Sequence, residues 1–249
     1  MALAVAAVNY HGAPAPVRDD LRDAHRFLLD HICAPGTWWT GRDRVAIAAE
    51  SRSAARCALC QARKESLSPG ALTGRHDGPG ALGEHVIDAI HRIRTDPARL
   101  SKDWFDGVIA GLDIGRYVEL VGVTTLTAGL DYFARALGVD PLPLPAPLPG
   151  EPSRHRPAGT KSGIAWVPMI APEDATGPEA DLYGDAEIVP NIVRALSLVP
   201  PEVRALRRSS DAHYLPVAKI SDPTVRRTLE RPQIELVAAR VSALNECFY

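Results

Sequence analysis

Long apolar runs, a strong net charge and abundant cysteine are all missing from this sequence, and each absence excludes a class of protein. No stretch approaches the roughly 18 apolar residues of a membrane-spanning helix, so no membrane segment is predicted. The formal net charge is −2 and Lys and Arg form no stripe, which argues against a nucleic-acid partner. Four cysteines in 249 residues are too few for a disulfide framework. Cysteine is therefore expected to act chemically rather than structurally.

The amino-acid composition is that of an ordinary globular protein. With 46% hydrophobic and 23% charged residues, the chain can form one large core or two small ones. Residues 1–8 are apolar, but they lack a basic segment and are too few for a signal peptide. The sequence therefore predicts a soluble, cytoplasmic protein.

Apolar residues recur at helical spacing through the first 140 residues and predict an all-α helical bundle. A first helix is predicted over residues 17–31. Asp43 is expected to cap a second, alanine-rich helix over residues 44–64, which Ser68-Pro69-Gly70 follows. Further helices are predicted over residues 82–94, 104–109 and 117–137, with Gly138 as the C-terminal cap of the last.

The composition changes abruptly at Pro141, where Pro-Leu-Pro-Leu-Pro-Ala-Pro-Leu-Pro-Gly begins. Such a run favours an extended, polyproline-like connector and marks a domain boundary. Beyond it, helices are predicted over residues 188–197, 201–209 and 223–248. The predicted units are an N-terminal helical extension (1–40), a full helical unit (41–140), a Pro-rich connector (141–180) and a partial second helical unit (181–249).

Two segments of the chain, residues 117–133 and 233–249, share a Glu-Leu-Val core and a trailing aromatic pair. Glu119 and Glu235 occupy the same position in the two copies, and Cys247 follows Glu235 by twelve positions. This spacing resembles the Glu-x11-Cys-x-x-Cys-x3-His signature of alkylhydroperoxidase D-like proteins, in the carboxymuconolactone decarboxylase superfamily. The pair Glu235 and Cys247 is interpreted as a degenerate or truncated site. Glu119, with Asp131 at the cysteine position, is interpreted as structural.

Residues 44–64 resemble the same family helix and keep its Cys-x-x-Cys motif, as Cys57-Ala-Leu-Cys60. The segment that follows, through Val139, resembles the rest of one such unit. The resemblance covers about residues 40–140, and 185–249 more weakly. It departs from the family motif at two positions, where Val45 stands for the glutamate and Lys64 for the histidine. The family's proton relay is therefore altered in this unit.

The spacing of Cys57 and Cys60 suits thiol redox chemistry. Residues at i and i+3 lie on one face of a helix, close enough for a disulfide. The neighbouring Arg56, Arg63 and Lys64 should favour thiolate over thiol. A thiolate that attacks a peroxide becomes a sulfenic acid, which the second thiol converts to a disulfide.

The resemblance implies that Cys60 attacks the peroxide and Cys57 resolves the sulfenic acid, although the residues alone leave this order open. Glu50 lies seven residues before Cys57, about two turns or roughly 10 Å along the helix. A bridging group or water would have to connect Glu50 to the thiols. Glu50 is therefore a relay candidate.

A metal site is the sharpest alternative, because zinc accepts thiolate and imidazole ligands at four-coordination. The candidate ligands are Cys57, Cys60, His85 and His91. His85 and His91 face different sides of an ideal helix, which argues against this set. His76 lies on a predicted loop and could swing into the site.

The leading interpretation is a thiol-dependent oxidoreductase that reduces a small-molecule peroxide, needs no cofactor and is regenerated by a dithiol reductant protein. One alternative is a metal-binding or decarboxylase-like enzyme of the same fold, with a divalent metal such as zinc. Another is a non-catalytic helical oligomerisation module that has lost the relay residues. The family resemblance also implies a homo-oligomer.

Overall fold

The computed structural model describes residues 8–184, 189–216 and 219–244, and within these ranges the chain is a mostly helical bundle. The all-α prediction is confirmed. The helices are α1 (Asp19–Cys33), α2 (Gly41–Ala54), α3 (Ala58–Glu65), α4 (Glu84–Thr95), α5 (Lys102–Gly111), α6 (Ile114–Ala136), α7 (Asn191–Arg194), α8 (Pro200–His213) and α9 (Arg231–Leu244). Two short strands, β1 (Thr160–Lys161) and β2 (Met169–Ile170), pair antiparallel.

The helix predicted over residues 44–64 is wrong as a single element, because the chain forms α2 and α3 with a break between them. Asp43 does not cap α2. Thr40 is the N-cap, its hydroxyl accepts from the Asp43 amide, and the Asp43 carboxylate accepts from the Thr40 amide. This reciprocal pair is a capping box, which satisfies two amides at the start of the helix.

The break has a tertiary cause. The Asp77 carboxylate, from a distant loop, accepts a hydrogen bond from the Ala58 amide at 2.8 Å and so satisfies a free donor in the first turn of α3. Cys57 becomes the N-cap of α3, with extended backbone angles. The two cysteines therefore lie at the start of a short helix instead of in the middle of a long one.

The core forms where α2 packs against α1, α4 and α6, and the bounds of α1, α4 and α6 agree with the predicted helices to within three residues. Ile47, Ile90 and Leu120 are fully buried there. Each such side chain contributes about 1.5–3 kcal/mol by leaving water. Gly138, just past the end of α6, has φ +69°, as expected for a C-terminal glycine.

Residues 141–159 have no regular secondary structure. Beyond them, α8 packs against α1 and α6, and Val203 of α8 belongs to the same buried cluster as Leu28 of α1. The division of the chain into units stays a prediction. The helices α7 and α9 are shorter than the sequence predicted, while residues 188 and 245–248 of the predicted spans lie outside the described ranges.

Among the helices of the described residues, none combines the length and the apolar character needed to cross a lipid bilayer.

Candidate functional site

Two cysteines and two histidines meet between α2, α3 and α4 and form what we call the thiol–histidine cluster. Its members are Cys57, Cys60, His76 and His91, and their sulfur and ring nitrogen atoms all lie within 4.8 Å of one another. Cys57 and Cys60 come from the start of α3, His91 comes from α4, and His76 comes from the loop that precedes α4. Both sulfur-bearing side chains are buried.

Cys60 is connected to a carboxylate through His91. The Cys60 Sγ lies 3.3 Å from His91 Nδ1, and His91 Nε2 lies 3.3 Å from Glu50 Oε2, with all three side chains buried. Burial, then the charge of His76, lowers the pKa of His91, against the opposing effect of Glu50. A neutral His91 that donates from Nε2 to Glu50 leaves Nδ1 free to accept the Cys60 proton.

The pKa of His76 is shifted in the opposite direction to that of His91. Burial lowers its pKa, but hydrogen bonds to Asp88 and to both cysteines outweigh burial and raise the pKa to about 10. The Asp88 carboxylate lies 3.0 Å from His76 Nε2 and 2.6 Å from Arg63 Nη1. Burial raises the pKa of Asp88, but these two partners hold it at about 2. His76 is therefore an imidazolium at neutral pH, fixed by a charged carboxylate.

The Cys57 sulfur is surrounded by donors. Its Sγ lies 3.5 Å from His76 Nδ1 and accepts from the Asp77 amide at 3.4 Å. Burial raises the pKa of Cys57, but the amides of Asp77 and Cys60 and the His76 ring outweigh burial and lower it. The position at a helix N-terminus adds to this effect, since the helix dipole favours an anion there.

The loop that carries His76 is held down through Glu50. The Gly80 amide donates to Glu50 Oε1 at 2.6 Å, and the φ of +68° at Gly80 suits glycine. A Cβ on Gly78 would collide with Glu50 Oε2. Glycine at position 78 therefore allows the loop to pass directly over the buried carboxylate.

The distances within the thiol–histidine cluster match those of a tetrahedral metal site. A zinc ion with bonds of about 2.3 Å to sulfur and about 2.0 Å to nitrogen places these ligands about 3.5 Å apart. The corresponding sulfur to nitrogen distances are 3.5 Å (Cys57 to His76), 3.6 Å (Cys60 to His76) and 3.3 Å (Cys60 to His91). The cluster could therefore hold a metal ion.

The predicted ligand set was wrong in one member. His85 lies on the exposed face of α4 and is absent from the cluster, whereas His76 belongs to it. The helical phase of His85 and His91 already argued against their meeting. The sequence predicts His76 only as a loop residue that could reach the site. The run His-Asp-Gly-Pro-Gly at residues 76–80 is the signal of a tight loop that brings it there.

The other predicted site residues lie elsewhere. Glu235 accepts hydrogen bonds from Tyr214 and Arg231 and contacts no member of the thiol–histidine cluster, while Cys247 lies outside the described residues. Asp131, which is partly buried, pairs with Arg52 in the wall of a cleft. The structure therefore joins Glu50, Cys57 and Cys60, and it does not bring Glu235 to them.

A second buried polar group, which we call the buried charge network, links α1, α2, α6 and α8. Arg44 Nη1 donates to Glu119 and, at 2.8 Å, to Glu202, and Glu202 lies 2.9 Å from His31 Nε2. Burial raises the pKa of Glu202, but Arg44 and His31 hold it at about 2. Glu119 also accepts from the Trp38 amide at 2.6 Å.

Two clefts have members of the thiol–histidine cluster in their walls. One has a volume of about 470 Å³ and contains Cys60 in its wall, together with side chains of α2, α4 and α6. The other, of about 660 Å³, is lined by Glu50, His76 and Asp88. Both volumes are in the range of small-molecule sites.

Comparison with protein-family models, with curated proteins and with solved structures found no match to this chain.

Proposed function

We propose that this protein is a thiol-dependent oxidoreductase of the alkylhydroperoxidase D-like type, which reduces a peroxide through Cys60 and Cys57. The observation that carries the proposal is the buried chain from Cys60 through His91 to Glu50. A thiol becomes nucleophilic when a base takes its proton, and a carboxylate that orients the base makes this transfer efficient. Glu50 and His91 thus supply the groups that Val45 and Lys64 replace in the motif.

The reaction proceeds in two balanced steps. The Cys60 sulfur attacks the terminal oxygen of the hydroperoxide ROOH, the O–O bond breaks, and His91 passes the thiol proton to the leaving alkoxide. The products are the Cys60 sulfenic acid and the alcohol ROH. Cys57 then attacks the sulfur of the sulfenic acid and forms the disulfide, while the hydroxyl group of the sulfenic acid leaves and takes a proton from the His76 imidazolium to form water.

The roles of the two cysteines follow from their neighbours. Cys60 faces the cleft of about 470 Å³ and has a neutral base beside it, which suits the attacking thiol. The lowered pKa of Cys57 suits a resolving thiolate, ready once Cys60 is oxidised. A dithiol protein then reduces the disulfide by exchange, and we assign the reaction to the cytoplasm, where thiols stay reduced.

The test is a mass analysis of the full chain before and after one equivalent of hydroperoxide. The wild-type protein should lose two hydrogens in the peptide that contains both cysteines. Cys57→Ser should accumulate a sulfenic acid at Cys60, and Cys60→Ser should not react. Peroxide consumption by Cys60→Ser at the wild-type rate would refute the proposal, whereas a sulfenic acid at Cys57 in that variant would reverse the two roles. Cys33→Ser is the matched control, because Cys33 is buried and lies outside the cluster.

Metal binding is a second candidate function, supported by three sulfur to nitrogen distances of 3.3 to 3.6 Å in the cluster, which suit a tetrahedral zinc site. Both histidines would coordinate through Nδ1, while Nε2 of each faces a carboxylate, Asp88 for His76 and Glu50 for His91. Such outer carboxylates orient metal-binding histidines in proteins. Zinc suits two thiolates and two imidazoles, and a site with four protein ligands is structural.

The metal candidate is tested on protein purified without chelator. One zinc per chain, lost in His76→Ala and retained in His85→Ala, supports this function. Substitution with Co²⁺ should then give the absorption of a tetrahedral site with thiolate ligands. Metal-free protein whose two thiols alkylate readily would exclude it. A protein without metal, without disulfide formation and with unreactive thiols would instead favour a non-catalytic oligomerisation module.

A further inference from the structure

The cleft that has Cys60 in its wall is strongly basic, although the chain as a whole carries a formal net charge of −2. We call it the basic cleft. Its wall contains the charged side chains and the two others that matter for its chemistry, namely Arg52, Arg56, Cys60, Lys64, Arg94, Asp131, Tyr132 and Arg135. Five of these side chains are cationic and one is anionic. The excess of positive charge lies in the wall to which Cys60 belongs.

Most of this charge is not neutralised within the described residues. Arg52 forms an ion pair with Asp131, the only carboxylate lining the cleft among those residues. Arg94 lies over the Tyr132 ring and donates to its hydroxyl at 2.7 Å, so it has no anionic partner. Arg56, Lys64 and Arg135 are exposed and form no ion pair in the described part of the chain.

A cleft with one sign of charge and protein walls focuses the electric field and concentrates ions of the opposite sign. We propose that the basic cleft binds the carboxylate of an organic hydroperoxide, so that anionic peroxides are the substrate class of Cys60. This inference rests on the function proposed above. The cleft volume of about 470 Å³ accommodates a small carboxylic acid with its peroxide group directed at the sulfur.

The inference has a test that does not require peroxidase activity. Iodoacetate and iodoacetamide alkylate thiols by the same chemistry and differ in charge, so the ratio of their rates reports the local potential. We would measure this ratio at Cys60 by peptide mapping of the reduced, chelator-treated full chain, with the same chain in urea as reference. The native ratio should exceed the unfolded ratio by about three- to tenfold. About 1 M salt should remove the difference, since the Debye length falls to about 3 Å.

Charge-removing variants test whether the higher alkylation ratio of the native chain is caused by the basic cleft. Arg135→Gln and Lys64→Gln should each lower the native ratio by about twofold, and the double variant should bring it near the unfolded value. Arg208→Gln removes the same charge from an exposed position on α8 and should leave the ratio unchanged. Equal native and unfolded ratios, an equal effect of Arg208→Gln, or failure of both reagents to reach Cys60 in the native chain would overturn the inference.

Kinetics with a carboxylate-bearing hydroperoxide and its methyl ester separate this inference from the proposed function. If the acid oxidises Cys60 faster than the ester does, and the Arg135→Gln, Lys64→Gln double variant loses this difference, both the peroxidase function and the anionic substrate class are supported. Equal rates with acid and ester support the peroxidase and overturn the anionic substrate. A charge-dependent alkylation ratio without reaction with either peroxide retains an anion-binding cleft and overturns the peroxidase.

Discussion

The thiol–histidine cluster and the buried charge network are both buried polar groups, yet only the first contains thiols and borders two clefts. In the network, the carboxylates of Glu119 and Glu202 share the Arg44 guanidinium, and no member carries a nucleophilic sulfur. In the cluster, His91 and His76 hold two thiols between a neutral and a cationic ring. Cys60 lies in the wall of one cleft and His76 in the wall of the other.

The difference teaches that burial of charge does not by itself identify a functional site. A buried ion pair is strongly destabilising when one partner is removed, so the network acts on stability. The cluster combines a nucleophile, a base and an orienting carboxylate, which is the arrangement of a reactive site. Substitutions should therefore affect stability in one region and reactivity in the other.

The largest effect is expected from Arg44→Met. This variant removes the guanidinium that pairs with both Glu119 and Glu202 and leaves only His31 beside Glu202, which should lower the free energy of unfolding by about 3–5 kcal/mol. Arg204→Met removes the same group from an exposed pair with Asp181 and should change stability by less than about 1 kcal/mol. Urea denaturation of both variants measures the difference. Equal midpoints for the two would show that the network is not structural.

Glu50→Gln should slow the oxidation of Cys60 by peroxide about 100-fold, because the amide no longer draws the proton of His91 Nε2 toward a negative charge. Glu84→Gln is the matched control, since Glu84 lines the cleft of about 660 Å³ but is exposed and makes no contact with the cluster. Stopped-flow kinetics under pseudo-first-order conditions measure both. An unchanged rate in Glu50→Gln would remove Glu50 from the relay.

Gly78→Ala should destabilise the protein by about 1–3 kcal/mol, because the new methyl group overlaps the Glu50 carboxylate and the loop has to move. The same change at Gly70 adds a methyl group in open space and should have almost no effect. Thermal unfolding compares the two. A destabilisation in Gly70→Ala of the same size would mean that the overlap at Glu50 is not the cause.

The last effect, which is absent at neutral pH, concerns a third group of side chains, where Tyr10 and His213 each lie 2.6 Å from a ring nitrogen of His25. Burial, then the charge of His213, lowers the pKa of His25 to about 3. Between pH 3 and 6.5 the unfolded state therefore binds the additional proton. Acidification below pH 6.5 should lower stability by about 1.4 kcal/mol per pH unit through this residue, and the effect is absent above pH 6.5.

Comparison with His25→Gln measures the contribution of His25 together with its effect on His213, which lies 2.6 Å from it, because the titrating groups outside this contact remain in both proteins. Its stability, measured by urea denaturation between pH 5 and 8, should fall less steeply on acidification than that of the wild type. His11→Gln, at an exposed position, is the control and should follow the wild-type profile. Parallel profiles for wild type and His25→Gln would contradict the expectation.

The sequence predicted those parts of the fold that depend on local periodicity. The apolar residues of α1, α4 and α6 recur at helical spacing, and these helices were placed within three residues of their bounds. The break before Cys57 could not be predicted, because the segment is rich in alanine and contains no glycine or proline there. It depends on Asp77, a residue twenty positions away from Cys57.

The sequence likewise predicted only part of the candidate site. The Cys-x-x-Cys spacing predicts Cys57 and Cys60 as site residues. The distance of Glu50 from Cys57 along the helix predicts it as a relay candidate that needs a bridging group or water to reach the thiols. Which residue bridges was not predictable, since helix packing brings His91 between Glu50 and Cys60. His76 was left out of the ligand set because a loop residue has no periodicity by which to place it.

The order in which the two buried groups form during folding follows from where their residues lie in the chain. The Cys60–His91–Glu50 chain and His76 fall within residues 50–91, whereas the Arg44 network needs Glu202. Contacts between residues that are close in sequence close shorter loops and tend to form earlier. Pulsed thiol labelling during refolding should therefore find Cys57 and Cys60 protected before α8 docks, and the thiols would meet oxidants with their histidines already in place.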